Sequence, residues 1–408
     1  MDKLIPTSYI NAKIENCTIS GLSGEIGTEA KDYVGGLIGQ QIGAIVDNCH
    51  ITDSNYSVVA KEYAGGFVGL ARDDVIEGTL SGALDIETKL PGMNPESLLY
   101  DCSLSGENIT VTGTIYVGGF AGAMANTSAV NDTVAVAKQF DITASGNNAG
   151  GFAGKISGGH IQDSNAYNFS YVVGQITAGG YVGDLEPGNV ASVLGDASIL
   201  DGLVSVKDTL ASVAQDFVPT IRNSSTTCIP CGGAVRAEAV STTELQRGLA
   251  GGYVGHNEGG HIWGNNTKKW KGQDYTGPTS ICEAVRIRSV YGAEIAGGFT
   301  GLMEAADTAS AGSLSLLWGL VKADNLLGAL SIVYPTEENT AVYGPLAKMD
   351  YQSWNSWVQY VGKYGGYGSD LAKKGTVNSQ DALDAILGKY EYGYTVVAGR
   401  SNIRIKQP

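Results

Sequence analysis

One seven-residue phrase constrains the fold of this chain more than any other feature. It reads YVGGLIG from Tyr33, YAGGFVG from Tyr63, YVGGFAG from Tyr116 and NAGGFAG from Asn148. It returns as TAGGYVG from Thr177, LAGGYVG from Leu249 and IAGGFTG from Ile295. A catalytic loop is needed once, whereas a phrase repeated along the chain marks a supersecondary unit that must stack on its neighbours. The glycine pairs are Gly35 and Gly36, Gly65 and Gly66, Gly118 and Gly119, Gly150 and Gly151, Gly179 and Gly180, Gly251 and Gly252, and Gly297 and Gly298. Three of the six intervals between them are 29 to 32 residues, so about 30 residues is the basic unit. The longer intervals, 46, 53 and 72 residues, read as one or two units carrying insertions.

A second element fixes the register. GGLIGQQIGAIVDNC from Gly35, GGFAGKISGGHIQDS from Gly150 and GGYVGHNEGGHIWGN from Gly251 align without a gap. Ile45, His160 and His261 then share one position, and Cys49, Ser164 and Asn265 another. Short runs rich in β-branched and aromatic residues, punctuated by glycine at a fixed period, suit a parallel β-solenoid. The glycine pairs are expected at corners where φ is positive or the backbone approaches too closely for a Cβ. The Leu, Phe or Tyr after each pair is expected to stack inward, turn upon turn. A propeller has a similar period, but its blades need several hairpins, and few Asn-Gly or Asp-Gly signals are present.

The unit GG-[LFY]-x-G-x-x-x-G-x-I-x-[ND]-[CSN] resembles the GLUG-type repeat of large bacterial cell-surface proteins. The resemblance runs over roughly residues 11 to 302 and drifts after Gly65, Gly118 and Gly297. It implies an extracellular, surface-displayed β-solenoid, often part of an adhesin, and implies no reaction. The expected organisation is solenoid over 1–183, a helical insertion over 184–225, further turns over 226–302, a second helical or apolar insertion over 303–345, and an aromatic-rich region over 346–408.

Composition agrees with a folded, strand-rich chain. Of 408 residues 58 are glycine, about twice ordinary usage, without the three-residue period of collagen. The net charge of −15 and the lack of a large basic cluster argue against nucleic acid and anionic lipid as partners. MDKLIPTSYINAKIENC has no apolar core run of a secretory leader, and an excised piece of a longer secreted protein is the expectation. SLSLLWGLVKADNLLGALSIV from Ser313 nearly reaches spanning length, but Lys322 and Asp324 at its centre oppose insertion.

Two insertions resemble each other, after Gly179 and after Gly297. In the first, Leu203, Val206, Leu210, Val213 and Phe217 recur at helical spacing, which predicts an amphipathic helix against the solenoid flank. Beyond about residue 345 aromatics concentrate. Because a solenoid end exposes strand edges, capping is the expected role. The alternative is a platform for sugars or a protein partner, with Trp354, Trp357, Tyr360, Tyr364 and Tyr367 as candidates. A second candidate loop, HIWGNNTKKWKGQDYTG from His261, carries Trp263, Trp270 and Tyr275 beside Lys268, Lys269 and Lys271.

Chemistry is weighed against that background. GFAGKIS lacks the Ser or Thr of a P-loop, and no dinucleotide fingerprint is formed. Many polysaccharide-degrading enzymes are right-handed β-helices; RDD at Arg72, GGH ending at His160 and RIK at Arg404 resemble fragments of their signatures without completing them. Cys228 and Cys231 form CIPC with no second pair for zinc, so a local disulfide or plain thiols are expected. Cys17 and Cys49 fall on neighbouring turns, within disulfide reach or as stacked thiols. Asp370 to Asp381 resembles half of a dockerin calcium loop, but Ala372 and Lys374 occupy two ligand positions, and an N-cap at Ser379 explains the stretch better.

The sequence is therefore read as a non-catalytic adhesion module of the bacterial surface, with no cofactor or metal and with a host or neighbouring-cell protein or glycan as partner. A ligand-free spacer of a giant surface protein is the first alternative. A β-helix lyase or hydrolase is the second, and predicts an open face lined by two or three convergent acids.

Overall fold

The structure, a computed structural model, describes residues 12–72, 97–188, 218–228, 232–239, 247–264, 269–270, 273–274, 281–307, 332–346, 349–364, 369–387, 394–398 and 401–405. The chain winds as a parallel β-solenoid with three sheets. Sheet C consists of seven three-residue strands, Tyr33–Gly35, Tyr63–Gly65, Tyr116–Gly118, Asn148–Gly150, Thr177–Gly179, Leu249–Gly251 and Ile295–Gly297, stacked in chain order. Gly35 pairs with Gly65, and the column continues through Gly118, Gly150, Gly179, Gly251 and Gly297. Turns 1 to 7 are numbered here after these glycines. Every interval between glycine pairs is therefore one turn, including the longest, and the expectation of two units in the long intervals is corrected.

Close approach, not positive φ, explains the pairs. A Cβ on Gly150 would meet the Ala153 carbonyl oxygen across the tight corner, and one on Gly151 would meet Gly180 of the next turn. The residue after each pair then enters the core. Phe67, Phe120, Phe152, Tyr181, Tyr253 and Phe299 form a continuous stack with centroids 4.7–5.1 Å apart. That spacing is the distance between neighbouring strands, so each ring lies on the ring of the previous turn. The hydroxyls of Tyr181 and Tyr253 donate to the Ser164 and Ser224 carbonyls at 2.9 Å, which satisfies the only polar atom each ring carries inside.

After sheet C each turn runs through sheet A, rounds a polar corner and enters sheet B. The corner begins with Asn16, Asn48, Asp101, Asn131, Asp163, Asn223 or Asn339, all left-handed with φ between 46° and 60°. Asn and Asp tolerate that region better than other side chains. Next stand Cys17, Cys49, Cys102, Asp132, Ser164 and Ser224, in register from turn to turn. Cys49 and Cys102 Sγ donate to the Asp47 and Tyr100 carbonyls at 3.3 Å and Ser164 Oγ donates to the Gln162 carbonyl at 3.0 Å, while across turns Cys102 N donates to Asp132 Oδ1 at 2.8 Å and Asp132 N to Ser164 Oγ at 3.1 Å.

Sheet A explains the insertions. In turns 3 and 4 its strand is continuous, Ala121–Val130 and Ala153–Gln162, with a left-handed residue, Asn126 or Gly158, near its middle. In turns 2, 5 and 7 the strand is opened at that point. Arg72 and Ser97 pair with Ala125 and Thr127; Glu186 and Thr220 pair with Ser157 and His160; Glu304 and Thr336 pair with Glu258 and His261. The expected boundaries are narrowed accordingly. Val182–Glu186 and Thr220–Arg222 belong to turn 5, and Thr336–Glu338 and Thr340–Val342 belong to sheets A and B. The proposed helix from Leu203 to Phe217 lies outside the described residues.

The aromatic C-terminal region is itself an insertion. Thr340–Val342 and Tyr394–Ala398 extend sheet B on the last turn, and the latter is followed by an antiparallel strand, Ser401–Ile405. Between them lie helices α1 (Tyr351–Tyr364), α2 (Ser369–Ala372) and α3 (Gln380–Leu387). They enclose their own core of Met349, Trp354, Trp357, Val361, Leu371, Ala372 and Leu383. Ser379 caps α3, its Oγ accepting from Ala382 N at 3.3 Å. Helix α1 lies along the flank: the Arg286 guanidinium acts on Asp350 at its start, and Tyr360 donates to the Lys138 carbonyl at 3.2 Å. Ten helical residues cover about 15 Å and three solenoid turns about 14 Å, so α1 runs beside turns 3 to 6.

Candidate functional site

The opened line of sheet A carries a group of ionisable side chains linked from turn to turn. Ile156, Leu185 and Asn257 point into the solenoid and are buried, so their neighbours on the strand point to the other face. One column on that face is Lys155, Asp184 and His256, in successive turns 4, 5 and 6. Two residues further on, Ser157, Glu186, Glu258 and Glu304 form a second column in turns 4 to 7.

The two columns are tied by ion pairs that cross turns. Lys155 Nζ lies 2.9 Å from Glu186 Oε1 and 3.7 Å from Asp184 Oδ2. His256 Nδ1 is 3.0 Å from Asp184 Oδ1, and its Nε2 is 3.0 Å from Glu304 Oε1. Asn148 Nδ2 donates to Asp184 Oδ2 at 3.1 Å from sheet C, and Ser157 Oγ donates to Glu186 Oε1 at 2.9 Å. Burial by itself would lower the His256 imidazole, but the hydrogen bonds and charges of Asp184 and then Glu304 outweigh it and raise the group to about 9. It is an imidazolium at neutral pH that donates through both nitrogens. Asp184 is held below its ordinary range: burial pushes it up, and His256 and Lys155 pull it down by more. Glu258 moves the other way, raised by burial and by neighbouring carboxylates against the opposing charge of His256.

The residues singled out from the sequence are dispersed by the fold. Trp354 and Trp357 are 0 % and 1 % exposed in the helical core, with Trp354 Nε1 donating to the Gly375 carbonyl at 2.8 Å, so neither offers a face to a ligand. Tyr360 is used against Lys138. Trp263 is half-buried, with the Arg222 guanidinium 4.9 Å from its ring centre and His261 beside it. The side chains of Trp270 and Tyr364, and all of Tyr275, Tyr367, Cys231, Asp73 and Asp74, lie outside the described residues. Cys17, Cys49 and Cys228 are free thiols, so of the two arrangements open for the first two the structure has the stacked thiols. His160 is buried in the column that also holds Thr220 and His261. Asp370 pairs with Lys373 at 2.7 Å, and no metal-type cluster occurs among the described residues.

A further aromatic ladder, Tyr33, Tyr63 and Tyr116, runs up sheet C with centroids 5.0 and 5.3 Å apart. Its rings lie over one another, which leaves little free ring face for a sugar. The ionic columns went unnoticed in the sequence although a signal existed. Counting five residues from the first glycine of turns 4, 5 and 6 gives Lys155, Asp184 and His256; counting seven in turns 4 to 7 gives Ser157, Glu186, Glu258 and Glu304.

No helix among the described residues is long and apolar enough to cross a membrane. No protein-family model matches this chain, and comparison with curated proteins and with solved structures found no match.

Proposed function

We propose that this chain is a non-catalytic binding module of an extracellular bacterial surface protein, an adhesin-like display rod whose ligand face is the opened line of sheet A. The observation that carries this reading is the common exit point of three insertions. Residues 73–96, 189–217 and 308–331 all leave the solenoid at one register position, in turns 2, 5 and 7. A rigid scaffold that the chain leaves and rejoins repeatedly along one line is a suitable base for a recognition surface. The resemblance of the repeat to GLUG-type surface proteins supports the cell-surface location, and a host or neighbouring-cell protein or glycan is the proposed partner.

The solenoid shows how to test it. Turn 6 passes the same point with Gly259 and Gly260 alone, between Glu258 and His261. Replacing 187–219 and 305–335 each by Gly-Gly should leave the β circular dichroism unchanged and abolish binding on a glycan array or to a panel of purified surface proteins. Binding that survives both replacements would refute the assignment of the face.

One observation favours a second reading, a polysaccharide-degrading β-helix enzyme. Asp184 and Glu258 lie on adjacent turns of one face, the former held down by His256 and Lys155 against its burial and the latter raised by burial, opposite shifts of the kind that paired carboxylates in acid–base chemistry show. Release of reducing ends from acidic polysaccharides, lost in Glu258→Gln, would establish that reading in place of the first.

A further inference from the structure

Three described strands precede turn 1, one in sheet A and two in sheet B. Lys13–Glu15, Thr18–Ser20 and Ser23–Gly27 pair only with the strands of the next turn among the described residues, and most of their side chains are exposed. At their corner stands Cys17, an exposed free thiol. The registers on either side, Glu15 with Asp47 and Thr18 with His50, place Cys17 directly over Cys49. Asn48 Nδ2 donates to Asn16 Oδ1 at 2.6 Å beside the pair, and His50 N donates to the Cys17 carbonyl at 2.8 Å. Cys49 is buried and stacks in turn on Cys102, also buried.

We infer that Cys17 and Cys49 are a thiol pair built for oxidation by a low-molecular-weight disulfide, which staples the strands of Lys13–Gly27 onto turn 1. Strand spacing of about 4.8 Å puts the two Cα atoms inside the range that a disulfide spans. In-register side chains point the same way, so closing the bond needs a small approach of one corner to the other. Cys17 sits on a turn that is bonded from one side among the described residues, which leaves it room for that movement. Cys102 lies in register between Cys49 and Asp132 of the following turn, and its N–H is held by Asp132 Oδ1 at 2.8 Å, so the equivalent Cys49–Cys102 closure is blocked.

The reaction proceeds in two exchanges. The Cys17 thiolate attacks one sulfur of the small disulfide, forms a mixed disulfide and releases one thiolate. The Cys49 thiolate then attacks Cys17 Sγ, forms the internal bond and releases the second thiolate. Two cysteines lose two electrons and two protons, the protons pass through solvent to the two released thiolates, and one small disulfide becomes two thiols. Burial raises the Cys49 thiol, so the second exchange quickens as pH rises.

The full chain is incubated with oxidised glutathione, quenched with acid and alkylated, and its peptides are mapped without reduction. A Cys17–Cys49 linkage is expected, forming faster at pH 9 than at pH 7. It is abolished by Cys17→Ser and retained in Cys102→Ser. Amide exchange over Lys13–Gly27 should slow by tenfold or more on oxidation, with full recovery after dithiothreitol. A lasting glutathione adduct on Cys17, a Cys49–Cys102 linkage, failure to react, or a linkage that leaves exchange over Lys13–Gly27 unchanged would each overturn the inference.

Discussion

His256 offers the sharpest test of how the ionic columns hold adjacent turns together. Its side chain is 14 % exposed and bridges Asp184 of turn 5 to Glu304 of turn 7. Its pKa rises from an ordinary 6.5 to about 9. A group raised in the folded state stabilises fully below its unfolded pKa, and that stabilisation is lost as pH climbs through the folded pKa. The window is therefore pH 6.5 to 9. A shift of this size corresponds to about 3 kcal/mol at 1.36 kcal/mol per unit, which the half-exposed Glu304 reduces towards about 2 kcal/mol. In His256→Gln the difference from the parent protein should be largest near pH 6 and fall by about 2 kcal/mol by pH 9.5. A constant residue will persist, because Asp184 stays buried with only Lys155 and Asn148 as partners. Amide exchange over Val182–Glu186, Val254–Glu258 and Thr300–Glu304, measured at several pH values, reads this locally, as a stacked-turn protein requires. A parent-minus-variant difference that is flat between pH 6 and 9.5 would refute the charged bridge.

Other substitutions probe the winding itself. Asp132 is fully buried at the corner column, with Oδ2 unpartnered and its carboxyl raised well above the usual range by burial. Its contribution is favourable below pH 3.8 and is lost as pH rises, so Asp132→Ser, copying Ser164 of the next turn, should stabilise by about 1–3 kcal/mol in urea unfolding at pH 7 and less near pH 4. Phe152→Ala breaks the internal stack between Phe120 and Tyr181 and should destabilise by about 3–5 kcal/mol by the same assay. Gly150→Ala places a methyl against the Ala153 carbonyl and should rank with the most damaging single changes, about 4 kcal/mol or more. Trp354→Ala should melt the α1–α3 unit, seen as lost helical ellipticity, while the β signal of the solenoid persists.

The seven glycine pairs were enough to determine the winding. A parallel solenoid repeats one backbone path, so a position where no Cβ fits recurs once per turn, and the pattern is written in the chain at that period. The inward aromatic stack, the shared place of Ile45, His160 and His261, and the Ser379 cap were legible for the same reason: each depends on residues close in sequence or fixed by the repeat. Only the tertiary structure decided that the 72-residue interval is a single turn, because insertion length carries no information about where the chain rejoins the sheet. Only packing could show that Trp354 and Trp357 face inward, since aromatic clustering looks alike in a core and on a surface. The ionic columns lie between these cases. Lys155, Asp184, His256 and Glu304 are up to 149 positions apart and meet because strand register adds one side chain per turn to the same face. Sequence sets what each turn contributes, and stacking at strand spacing turns those separate contributions into one site.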